Sequence, residues 1–160
     1  MGTTTFTGPV KAGNILNTTG TTPGTDIANV GYTVMAQSAP VTQAASAGQG
    51  TGVYKTDIVI PANSQILSVS VLKTTAWSGN ATTINVGSNA TATQLAVAAD
   101  NDLSTTLGIS SVIPGNDATR VGNWKDVGTT DIQIYTKSTN TGTGVGILTV
   151  TYLQANNLTA

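Results

Sequence analysis

The chain has 160 residues, of which only 8% are charged, against about 25% in an ordinary soluble domain. Six basic and seven acidic residues give a net charge of −1, and there is no His, no Cys and no Glu. This composition excludes a disulfide scaffold and a His- or Cys-based catalytic centre, and the scattered Lys11, Lys55, Lys73, Arg120, Lys125 and Lys137 make no basic patch for nucleic acid.

Residues 1–30 are rich in Thr and Gly and show no regular hydrophobic period. Their apolar residues stand alone at Phe6, Val10, Ile15, Leu16 and Ile27, and at Val30. One reading is a flexible tail. The other is an extended N-terminal arm whose spaced apolar residues dock into pockets on a partner, and this is the reading adopted for residues 1–30. The first residues lack the charged and apolar regions of a signal peptide. No apolar run approaches the ~20 residues of a membrane-spanning helix. The expectation is a chain made in a cytoplasm, with no membrane partner.

From residue 31 to 160 the sequence predicts one β domain. Thr, Val and Ile are abundant, and branched side chains suit a pleated surface better than a helix. Strands are predicted at 31–41, with Tyr32, Val34 and Ala36 on one face, and at 53–60, ended by Pro61. A third at 65–75 puts Leu67, Val69 and Val71 on one face and Ile66 and Leu72 on the other. A short strand follows at 82–87. Residues 131–137 place Ile132 and Ile134 inward and Gln133 and Tyr135 outward. Residues 145–153 are apolar on both faces, as a central or covered strand would be. Turn chemistry separates these runs at 61–63, 78–80, 114–116 and 139–144. Residues 94–102 are the best helical candidate, and read equally well as a strand followed by a turn. Many short strands at this spacing predict a sandwich or barrel.

Candidate chemistry is sparse. Asp100 and Asp102 are the one close acidic pair. They fit a hard-cation site or, better, a polar turn, since no EF-hand spacing or Glu follows. Residues 142–146, GTGVG, look like a phosphate loop but lack its Gly-Lys-Ser/Thr ending and precede a strand, so they read as a hairpin turn. Trp77 ends a strong strand and reads as core. Trp124, in the turn-like segment 122–126, has three readings: a plug for the end of the sandwich, a platform stacking on a sugar, or an anchor in a subunit interface. No cofactor, metal or catalytic residue is expected.

The segments 57–66 (DIVIPANSQI), 68–83 (SVSVLKTTAWSGNATT), 84–87 (INVG), 131–135 and 142–152 (GTGVGILTVTY) resemble small bacteriophage virion proteins of the head-decoration or cement type. The resemblance spans about two thirds of the chain. It implies an all-β, jelly-roll-like antiparallel β-sandwich closed by a hairpin. It also implies a homotrimer bound to major capsid protein on the outside of the phage head, without catalytic residues. The partner-binding candidates are then Phe6, Val10, Ile15, Leu16, Ile27 and Trp124. The alternative function is a receptor- or glycan-binding module of a tail or head fibre.

Overall fold

The alternating Val, Ile and Thr runs form strands in the computed structural model, which describes residues 33–78, 82–103, 105–138 and 142–154. Among these residues the strands are β1 (Thr33–Thr42), β2 (Val53–Ile60), β3 (Gln65–Thr75), β4 (Ile84–Gly87), β5 (Gly108–Val112), β6 (Ile132–Ser138) and β7 (Val145–Gln154). A 3-10 turn lies at Ala98–Asp100 and one helix, α1, at Ala118–Lys125. The anchors Phe6, Val10, Ile15, Leu16 and Ile27, and the whole expected arm, lie outside the described residues.

The strands form two sheets, a four-stranded one in the order β1-β7-β3-β5 and a three-stranded one in the order β2-β6-β4. Successive strands alternate between the sheets, so each connection carries the chain from one layer to the other. This is the strand order of a jelly roll, the predicted architecture. The place of an eighth strand beside β4 is held by two isolated bridges, Val86 with Ala96 and Thr83 with Asp102. Residues 94–102, read from the sequence either as a helix or as a strand followed by a turn, make one bridge, a 3-10 turn and a second bridge, which is nearer the second reading.

Two sequence expectations, for β3 and for residues 142–144, are corrected, and one, for β1, is given its direction. First, β3 is not a simple alternation. Its register with β7 shifts between Ile66 and Ser68. This bulge turns Ile66 to the same inner face as Val69 and Val71 and leaves Leu67 exposed. Second, the β1 face carrying Val34 and Ala36 is the exposed one, while Ala39 and Val41 point into the core. Third, residues 142–144 do not close a hairpin. They join β6 to β7, which belong to different sheets. The glycines there serve close packing: a Cβ on Gly142 would come within 2.2 Å of Gln43 Oε1, and one on Gly144 within 2.6 Å of Trp77.

The core lies between the inner faces. Val41, Val71, Leu148 and Val150 come from one sheet and Ile58, Ile84 and Ile134 from the other, with Trp77 fully buried as predicted. Each such aliphatic side chain stabilises the fold by about 1.5–3 kcal/mol. Ile134 faces inward as expected, and β7 is central in its sheet, with Leu148 and Val150 buried on its inner face and Val145 and Ile147 exposed on its outer face.

With no disulfides, three side-chain amides fasten distant segments of the chain to one another. Each donates to the carbonyl and accepts from the N–H of a single residue, as a strand partner would. Gln37 on β1 does this to Val59 on β2, at 2.6 and 3.1 Å, and so ties one sheet to the other. Gln43, fully buried, does it to Ser78 at 2.6 and 2.9 Å, and its Oε1 also accepts from Gly144 N–H. Asn101 does it to Ile113 at 2.9 and 2.6 Å.

Candidate functional site

The two sheets present contrasting outer faces. On the four-stranded sheet, Leu72 of β3 is the register partner of both Ile109 on β5 and Ile147 on β7. Side chains in register on one face touch across strands, so these three form an apolar row across the sheet. All are exposed: Ile109 74%, Leu72 40% and Ile147 40%. The next row is built of hydroxyls. Ser70 pairs with Ser111 and Thr149, and Ser38 on β1 extends the row through a 2.8 Å contact between its Oγ and Thr149 Oγ1. Beyond it Ser68 pairs with Thr151. Val34, Met35, Leu67, Leu107, Ile113 and Val145 add further exposed apolar surface in and beside these strands.

The sequences of the four strands contain one charged residue, Lys73. It faces inward and is only 5% exposed. Its register partners are Gly108 and Gly146, which leave room for the long stem. Its Nζ donates to Leu103 O and, at 2.8 Å, to Ser110 Oγ. The sheet thus turns its charge inward and leucine and isoleucine outward.

The three-stranded sheet does the opposite. Lys55, Asp57 and Val59 are exposed on β2, and Gln133, Tyr135 and Lys137 are half-buried on β6. Lys55 lies beside Tyr135, and Lys137 beside Asn85. A register shift between Lys55 and Val59 marks a bulge, where Thr56 Oγ1 donates to Ile134 O and Gln133 Nε2 donates to Thr56 O.

Trp124 lies on α1 rather than in a turn. Asp117 caps the helix by accepting from Arg120 N–H at 2.9 Å. The indole is half-buried against the core and its Nε1 donates to Leu95 O at 2.9 Å. The neighbouring Asn123 Nδ2 donates to Gln94 O. This placement packs one side of the indole against the core and leaves the rest of it exposed.

Asp100 forms an ion pair with Arg120 at 3.1 Å, and Asp102 accepts from Thr82. Among the described residues no group of three His, Cys, Asp or Glu is arranged to hold a metal ion. No helix among them is long and apolar enough to cross a membrane.

The charge-free outer face was not among the residues singled out from the sequence. Its signal was present in the two-sided apolar pattern of 145–153 and in Leu72, placed opposite Val69 and Val71.

No protein-family model matches the sequence, and no curated protein matches it. Among solved structures, a chain of the cyanophage Pam1 capsid asymmetric unit aligns with 90% of this chain and 99% of that one. The TM-score is 0.52 and the identity 18%. At that identity the likeness shows a shared fold.

Proposed function

We propose that this chain is a structural protein of a phage particle, and that it decorates the head by binding the outer surface of the major capsid protein. The observation that carries the reading is the charge-free, apolar outer face of the four-stranded sheet, which an isolated domain has no reason to keep uncovered and which marks the chain as a part of an assembly. The shared fold with a chain of a cyanophage capsid asymmetric unit supports it. The resemblance of 53–153 to decoration and cement proteins supports the finer assignment. On this reading the protein acts as a homotrimer, without catalysis and without a cofactor.

Residues 1–30 supply a second contact, as an arm onto the capsid. Ordering an arm costs about 1–2 kcal/mol per residue, and each buried Phe, Leu or Ile returns about 1.5–3 kcal/mol. One arm binds modestly, and three arms on a trimer gain by multivalency.

The alternative, a glycan-binding fibre module, needs an open aromatic platform. Trp124 is instead committed to packing and to the Leu95 carbonyl. Reconstruction of purified particles tests the choice. Density for this fold repeated over the shell is the expected result. A few copies confined to one vertex or to the tail would overturn the decoration reading in favour of the fibre.

A further inference from the structure

Most polar chemistry in the described residues is already engaged: Arg120 with Asp100, Lys73 with Leu103 and Ser110, and the three amides with backbone. The outer face of the four-stranded sheet is different. We propose that this face is where copies of this chain meet one another, an inference that rests on the self-assembly in the proposed function and names its interface.

Three observations select a second copy as the occupant. The first is charge. The four strands carry no charged residue but the buried Lys73. A charged partner surface would lose water here and find no counter-charge, which is costly. Another copy brings an equally neutral face. The second is hydrogen-bonding sense. Ser38, Ser70, Ser111 and Thr149 line one row, and a hydroxyl both donates and accepts. Two such rows satisfy each other, whereas two rows of carboxylates or ammoniums would repel. The same apolar and hydroxyl chemistry occupies the β5–β3 half (Leu72, Ile109) and the β7–β1 half (Ile147, Thr149), so one half can meet the other half of a neighbour around a threefold axis. The third is size. Four strands about 4.8 Å apart and up to about 35 Å long make a face of roughly 700 Å², so each half offers a neighbour about 350 Å², a small contact that a closed ring of three copies makes three times over.

The full-length chain is tested by light scattering on a sizing column. The wild type is expected to run as a trimer. Leu72→Lys and Ile109→Lys should weaken self-association by about tenfold or more, while Val59→Lys on the other sheet should leave it unchanged. Because the chain has no Cys, thiol labelling gives a second readout that tolerates a poorly folding Lys variant. In the assembled state L72C and I109C should label about tenfold more slowly than V59C. A monomeric wild type, Lys variants that assemble normally, or L72C labelling as fast as V59C would each overturn the inference. A trimer with the face open that still coats heads sinks this inference alone. A trimer with the face protected that binds no heads sinks the capsid reading and leaves this interface standing.

Discussion

The outer faces of the two sheets are built from the same strand grammar and differ in where charge is kept. The three-stranded sheet shows Lys55, Asp57 and Lys137 to its surroundings; the four-stranded sheet shows Ile109, Leu72 and Ile147 and keeps Lys73 inside. Exposed charges on strands normally discourage one sheet from pairing or stacking on another. Their presence on one face and absence from the other teaches that the low charge of this chain is not uniform. It is concentrated into one surface fit for contact and one fit for solvent. Pro40 suits the position of β1 at an edge of the sheet, since proline cannot donate to a neighbouring strand.

If the faces differ only outwardly, the inner faces should be equally demanding. Leu148→Ala beneath the four-stranded sheet and Ile134→Ala beneath the other should each cost about 2–5 kcal/mol in urea unfolding. A loss below about 1 kcal/mol at Leu148 alone would break the comparison, because that sheet would then lack a packed underside.

The amide fastenings give the next effect. Gln43→Ala strands buried backbone groups at Ser78 and Gly144 and should cost about 1–3 kcal/mol. Gln37→Ala, whose bonds to Val59 lie in more exposed surroundings, should cost about 0.5–1.5 kcal/mol. Equal costs would mean that the junction between the sheets matters as much as the buried end.

Arg120→Ala should change stability by only about 0–1 kcal/mol, since its ion pairs with Asp100 and Asp117 are partly exposed. Smallest of all, a chelator should move the melting temperature by less than about 1 °C, because a protein that binds no metal gains nothing from one. A larger fall would return Asp100 and Asp102 to consideration as ligands.

Much of the sandwich was legible because period-2 patterns survive wherever one face is buried. Strands β2 and β3 match their predicted spans, and β6 and β7 match within a residue. Strand β5 was not seen, for a physical reason: its pattern is inverted. Gly108 and Ser110 point inward, where Lys73 needs room and a partner, while Ile109 points out. Helix α1 was missed because it is two turns long, carries Gly122 in its interior and buries no residue fully. Its Asp117 cap was the available signal. The bulge in β3 could not be read either, since a slip of one residue reverses which side chains face inward without changing the composition. For the surface, the sequence singled out Trp124, which the helix turns into packing, and passed over the Leu72 row, whose members come from three distant strands.

The position of β7 between β1 and β3 also sets a clock. Ser38 and Thr149, whose hydroxyls touch, lie 111 residues apart in the chain. At ~5–20 residues per second, a ribosome needs roughly 5–20 s to deliver the second after the first. Until then β1 has no described neighbour and β3 has only the short β5. The larger layer therefore cannot build up piece by piece during translation, and such long-range pairing is slow even afterwards. A product of premature termination before β7 lacks the strand that joins β1 to β3, so the larger layer stays in two pieces and the apolar row stays incomplete.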